Sequence, residues 1–204
     1  MPLREEILEW PEFTPANPMR ILVSGCLSGA LCGYDGTSYG DYPNIQRLIR
    51  MPNLQVVTFC PEDFAFGTPR DVCNIYGGDG FDVLDGKATV RTDSGQDWTG
   101  PMIKAAHRML EIARANKVHL AILMDISAAC GSQVIYDGPR GMKNYQKGAG
   151  VCAALLIKNG YKVVSQRDYK TLETVLYKLD KRHRIDDKAI DHHETEWYKE
   201  YFIE

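Results

Sequence analysis

The sequence predicts an α/β fold: a single domain with a mainly parallel, Rossmann-like sheet covered by helices, plus an N-terminal arm and a C-terminal helical extension. Three observations carry this. Short apolar runs alternate with helical patterns along the chain. Those runs are continuous rather than alternating, as in strands buried on both faces. No internal repeat or low-complexity linker divides the 204 residues, a length that suits one domain. On this reading residues 1–19 are the arm, 20–165 the α/β domain and 166–204 the extension.

Residues 4–9 read as a short helix, followed by an extended arm anchored by Trp10 and Phe13. Arg20-Ile21-Leu22-Val23-Ser24-Gly25 is a β-rich run closed by small residues, the first buried strand. Residues 44–51 read as a helix, and Leu54-Gln55-Val56-Val57-Thr58-Phe59 as a second strand stopped by Cys60-Pro61. Between 62 and 98 turn residues dominate, and Asp85-Gly86 predicts a hairpin over 81–92. Thr99 is the expected N-cap of a helix reaching 116, with Pro101 in its first turn and Met102, Ala105, Ala106, Met109, Leu110 and Ile112 on one stripe. Residues 119–125 are a third strand. A helix over 149–158 ends at Asn159-Gly160, and 161–165 is a fourth strand. An amphipathic helix over 171–184 and an acidic, aromatic tail complete the chain.

A hydrophobic fraction of 44% and a charged fraction of 25% are those of an ordinary globular protein. The longest apolar runs, 120–124 and 151–157, fall far short of the ~20 residues that span a bilayer. Met1-Pro2-Leu3-Arg4-Glu5-Glu6 contains no apolar signal-peptide core, so a cytoplasmic location is expected. A net charge of -3 does not favour nucleic acid, so RNA is not indicated as a partner. The basic cluster over 178–184 includes Asp180 and reads as a solvated helix end.

The placement of the six cysteines is informative. In a reducing compartment they do not form a disulfide framework, so they are core thiols, metal ligands or reactive groups. Cys26 follows the first strand, Cys60 the second, and Cys130 lies shortly after the third. In open parallel sheets the loops beyond the carboxyl ends of the strands converge on the ligand crevice. Three thiolates there suit a soft centre such as an iron–sulfur cluster better than a hard cation, and the C-x₂-C pairs usual in zinc sites are missing. Spacing alone leaves open that all six are small buried hydrophobes. Cys73 and Cys152 read as core, whereas Cys32 is within reach of the Cys26 pocket and is a possible further ligand.

Several motifs add a family resemblance. Cys26-Leu27-Ser28-Gly29-Ala30-Leu31-Cys32-Gly33-Tyr34-Asp35-Gly36 resembles the opening motif of the thiouracil desulfurase (TudS) family. Cys60-Pro61-Glu62 with Thr68-Pro69-Arg70 is similar to its next segment, and Gly78-Asp79-Gly80 with Val83-Leu84-Asp85-Gly86 to the one after. Ser127-Ala128-Ala129-Cys130-Gly131 with Ile135-Tyr136-Asp137-Gly138 resembles its fourth motif, and Gly148-Ala149-Gly150-Val151 its closing helix. The resemblance implies a [4Fe-4S] cluster held by Cys26, Cys60 and Cys130 with one iron open. It also implies removal of sulfur from a small thiopyrimidine without net redox change. Glu62 and Ser127 would then activate water; the bland alternatives are that Glu62 caps a turn and Ser127 satisfies loop backbone.

The chain departs from the family pattern at Gly33, at Met124-Asp125, at Ala128-Ala129 and over 63–67. An alternative function is a non-catalytic iron–sulfur or metal-binding sensor or structural module, closed by Cys32 as a fourth ligand. A third is a metal-free thiol redox protein using Cys26 and Cys32. Three other features read as structural: Tyr34, Tyr39 and Tyr42 as cover for the core, Gly77-Gly78-Asp79-Gly80 as a turn, and His192-His193 as solvated residues of a polar tail.

Overall fold

The structure is a computed structural model that describes residues 2–40 and 42–202. In chain order it begins with α1 (Leu3–Glu9), β1 (Met19–Ser24), α2 (Pro43–Leu48), β2 (Leu54–Phe59) and α3 (Pro61–Phe66). There follow β3 (Cys73–Tyr76), α4 (Gly80–Leu84), β4 (Thr89–Thr92), α5 (Thr99–Ala115) and β5 (Leu120–Leu123). The chain ends with β6 (Val134–Tyr136), β7 (Tyr145–Lys147), α6 (Val151–Lys158), β8 (Lys162–Ser165), α7 (Tyr169–Leu179) and α8 (Glu196–Tyr201).

Four strands form a parallel sheet in the order β2-β1-β5-β8. Pleating sends alternate side chains to opposite faces. Leu22, Ala121 and Leu123 join one core with Met102, Met109 and Leu156 of α5 and α6. Ile21, Val23, Leu120, Ile122 and Val164 face a second core with Ile7, Ile45, Leu172 and Leu176 of α1, α2 and α7. Fully burying one such aliphatic side chain is worth about 1.5–3 kcal/mol, so both faces must be covered. The expected α/β class and parallel sheet are what the structure has. No helix among the described residues is long and apolar enough to cross a membrane.

The hairpin expected over 81–92 does not form. Asp79 accepts hydrogen bonds from the N–H groups of Phe81 and Asp82 at 2.8 and 3.2 Å, while the Asp82 carboxylate accepts from the Asp79 N–H at 3.2 Å. This capping box starts α4 where the turn signal suggested a strand. β4 pairs antiparallel with β3 instead. Thr99 is not the N-cap of α5; Trp98 is, and the Thr99 hydroxyl accepts from the Val90 N–H at 2.9 Å, tying α5 to β4. The basic cluster is only partly solvated: Lys178 is 4% exposed and its ammonium donates to the Leu8 carbonyl at 3.0 Å, joining α7 to α1. α7 ends at Leu179.

Candidate active site

The three strand-end loops meet over the carboxyl edge of the sheet. Beyond β1 the chain turns at once through a 3-10 turn, Gly25–Ser28, which carries Cys26. Gly25 is required by proximity: a Cβ there would lie 3.2 Å from Cys32 Sγ and 3.3 Å from Cys60 Cβ. Beyond β2, Cys60 is the N-cap of α3, with Pro61 as the first helical residue, and its Sγ accepts from the Asp63 N–H at 3.4 Å. Beyond β5, a turn closed by the Gly131 N–H and the Ser127 carbonyl at 2.9 Å presents Cys130.

Cys26, Cys32, Cys60 and Cys130 all line one cavity of about 300 Å³. Among the described residues no three His, Cys, Asp or Glu side chains converge closely enough to hold a single metal ion. Cys32 lies close to Cys60, whose Sγ donates to the Cys32 carbonyl at 3.7 Å. Burial pushes the Cys130 thiol up, against a hydrogen bond with Ser24. A hydrogen bond with Cys32, then burial, does the same for Cys60. Cys32 is pushed up to about 11, chiefly by its hydrogen bond with Cys26. A metal centre binding here must therefore displace protons. Cys73 and Cys152 are packed in the core and do not line the cavity.

Glu62 and Ser127 lie on the same cavity. The Ser127 hydroxyl donates to Glu62 Oε1 at 3.1 Å and accepts from the N–H groups of Ala129 and Cys130 at 3.2 and 3.1 Å. Arg70 donates to Glu62 Oε2 through Nε and Nη2 at 3.3 and 3.0 Å. Glu62 therefore does not cap a turn; its carboxylate points inward and is held from both sides. The Arg70 guanidinium is 5% exposed and also donates to the carbonyls of Gly67 and Cys32 and to the Thr68 hydroxyl.

Tyr34, Tyr39 and Tyr42, expected to cover the core, line the cavity together with Tyr136 and Tyr145; of the three, Tyr42 also packs against the second core as expected. Gly33 has a steric reason, since a Cβ there would lie 2.8 Å from the Thr37 carbonyl oxygen. Arg140 places its guanidinium 5.6 Å from the Tyr34 ring centroid and 5.0 Å from that of Tyr136. Arg167 also lines the cavity, and the Nε atoms of Arg140 and Arg167 are buried without a hydrogen-bond partner among the described residues. Sequence reasoning missed both arginines, whose loop positions carry no spacing signal.

It also missed a pair at the cavity wall, formed by Asp125, which lines the cavity, and His192 behind it. His192, expected in solvent, is 2% exposed, and its Nδ1 lies 2.7 Å from Asp125 Oδ2. The available signal was Asp191-His192-His193-Glu194, a capping box that sets a 3-10 turn here.

An open parallel sheet whose strand-end loops bring several thiols and a serine–carboxylate pair to one cavity defines an α/β protein built for soft-metal or sulfur chemistry. Residues 21–168 match the 2-thiouracil desulfurase family. The chain is 40% identical over 149 residues to the uncharacterized protein YbbK of Bacillus subtilis (strain 168), which covers 72% of this chain and 96% of that one. It is also similar to the solved structure of the [4Fe-4S]-dependent thiouracil desulfidase TudS, with a TM-score of 0.63 and 30% identity over 78% of this chain and 97% of that one. The chain belongs to the 2-thiouracil desulfurase family.

Proposed function

We propose that this protein is a [4Fe-4S]-dependent desulfurase that converts the thiocarbonyl of a thiouracil- or thiouridine-type pyrimidine into a carbonyl and releases hydrosulfide. The observation that carries the reading is one cavity lined by Cys26, Cys60 and Cys130 together with the hydrogen-bonded Ser127–Glu62 pair. Family membership and the [4Fe-4S] dependence of the TudS neighbour support it.

The donor set fits such a cluster. Three thiols from three strand-end loops line one cavity, and soft thiolates are the donors an iron–sulfur centre takes. The Asp63 N–H at Cys60 Sγ and the Ser24 contact with Cys130 are donors of the kind that stabilise sulfur charge. Cys26, Cys60 and Cys130 would hold the group. With three protein thiolates, it would supply an iron lacking a protein ligand, a thiophilic Lewis acid for the C=S bond.

The chain supplies the rest. Glu62, fixed by Arg70 on one oxygen and Ser127 on the other, accepts a proton from the attacking water. Ser127, locked by two backbone N–H groups, spends its one hydroxyl hydrogen on Glu62 and so fixes the carboxylate that activates that water. The water oxygen replaces sulfur on carbon, one water proton passes to Glu62 and the other leaves on sulfur as hydrosulfide. Nothing is oxidised or reduced. The tyrosines offer ring faces to a pyrimidine. Arg140 and Arg167, with no carboxylate partner among the described residues, favour a substrate carrying negative charge.

A second reading follows from Cys32, which lines the same cavity and whose carbonyl accepts from Cys60 Sγ at 3.7 Å, because a fourth thiolate would close the cluster and leave a sensor or structural module. Hydrosulfide release by anaerobically reconstituted protein, from 2-thiouracil and from a thiouridine monophosphate, separates the two. We expect release by wild type and Cys32→Ala and none by Cys130→Ser. Iron-loaded wild type that releases no hydrosulfide from either compound would favour the module.

A further inference from the structure

The family match ends at residue 168, yet the chain beyond it reaches back beneath the candidate site. His192 lies on the 3-10 turn His192–Glu194, between α7 and α8. That turn is anchored on its own side of the contact. The Asp191 carboxylate accepts from the Thr171 N–H and hydroxyl at 2.8 and 2.7 Å, and the His192 N–H donates to Asp168 at 3.1 Å. The His192 ring stacks on Trp197, with centroids 5.5 Å apart and planes 7° from parallel.

Among the described residues the ring's one hydrogen bond is to Asp125. Both side chains are buried, at 2% and 0% exposed, and His192 Nε2 has no partner among the described residues. Burial works to raise the Asp125 carboxyl, but its bonds to His192, Ser132 and Gln133 hold it below the usual range. Asp125 is therefore a carboxylate, and His192 Nδ1–H donates to its Oδ2. The other oxygen, Oδ1, accepts from the N–H groups of Ser132, Gln133 and Val134 at 3.0, 3.3 and 3.3 Å. Asp125 thus clasps the base of a loop whose arc carries Ser127 and Cys130.

We propose that the segment beyond residue 168 is a positioning element for the desulfuration site, in which His192, acting through Asp125, sets the loop that holds Ser127 and Cys130. This rests on the proposed function, since it takes those two residues as functional. His192 touches neither substrate nor cluster in this account; it is a positioning residue.

His192→Asn and His192→Gln in the full chain test it. Asparagine places an amide N–H near the Nδ1 position, whereas glutamine places it near Nε2, away from Asp125. After anaerobic reconstitution, the glutamine variant should lose iron to a chelator about tenfold faster than wild type and show a kcat about tenfold lower at unchanged KM. The asparagine variant should stay close to wild type. His192→Gln combined with Asp125→Asn should be no worse than Asp125→Asn alone, because the two act in series.

Equal behaviour of the asparagine and glutamine variants, or multiplied losses in the double variant, would overturn the inference while leaving the proposed function intact. Wild type that takes up no iron would instead remove the proposed function and this inference with it. If the glutamine variant does not fold, Trp197→Ala carries the test, because it removes the ring stacked on His192. Faster iron loss supports the inference, and an unchanged rate overturns it.

Discussion

Replacing Glu62 with glutamine is expected to lower kcat for hydrosulfide release by roughly 10²–10⁴-fold, the usual contribution of a positioned general base. The substitution keeps the shape of the side chain and an oxygen able to accept from Ser127 or Arg70, but it removes the proton acceptor. The buried Arg70 retains the carbonyls of Gly67 and Cys32 and the Thr68 hydroxyl as acceptors, so the fold tolerates the change. Iron content per chain should therefore match wild type, as should KM where substrate binding is at equilibrium. Steady-state kinetics beside iron analysis separates chemistry from cofactor loss. A glutamine variant within threefold of wild type would remove Glu62 from the mechanism.

Gly150→Ala is expected to be among the most destabilising single-methyl changes in the chain. A Cβ at that position would lie 2.5 and 2.6 Å from the carbonyl carbon and oxygen of Ala129 and 2.7 Å from the Ser127 oxygen. All three are backbone atoms of the loop that presents Cys130, so no side chain can turn aside to make room. The contact is close because the start of α6 is hydrogen-bonded into that loop. The N–H groups of Gly150, Val151 and Cys152 donate to the carbonyls of Gly131, Ala128 and Ala129 at 2.8, 2.8 and 2.9 Å. Groups that a helix leaves unpaired at its N-terminus are thus paired by the candidate cluster loop. Overpacking against rigid backbone costs about 3 kcal/mol or more, which for a chain of this length lowers Tm by roughly 10 °C. Gly100→Ala is the control: nothing lies within 4 Å of its added methyl and its φ is unexceptional, so Tm should hold or rise slightly. Thermal unfolding of the two variants checks the difference.

The parallel sheet and the three strand-end cysteines are legible because both depend on local pattern. Continuous apolar runs mark strands covered on two faces, and the end of each strand marks where its loop begins. The chain order of Cys26, Cys60 and Cys130 then follows from topology alone. What is hidden depends on partners distant in sequence. Asp85-Gly86 carries a strong turn signal, but Asp79 and Asp82 cap each other and make the preceding residues helical. Asp125 is a plain acid at a strand end until His192 arrives from the far end of the chain. The tyrosines read as core cover because aromatic residues in a loop do not announce whether they face a core or a cavity. Gly150 looks like a helix start, and only the backbone 2.5 Å from its missing Cβ shows why no larger residue fits.

The central claim is that Cys26, Cys60 and Cys130, and not Cys32, hold a [4Fe-4S] cluster. Iron and acid-labile sulfide per chain, measured on protein purified without oxygen, test it most directly. The account predicts about four of each in wild type and in Cys32→Ala, and little of either in Cys26→Ser, Cys60→Ser and Cys130→Ser. A wild type that stays free of iron after anaerobic reconstitution would contradict it, as would a Cys32→Ala variant that loses the iron.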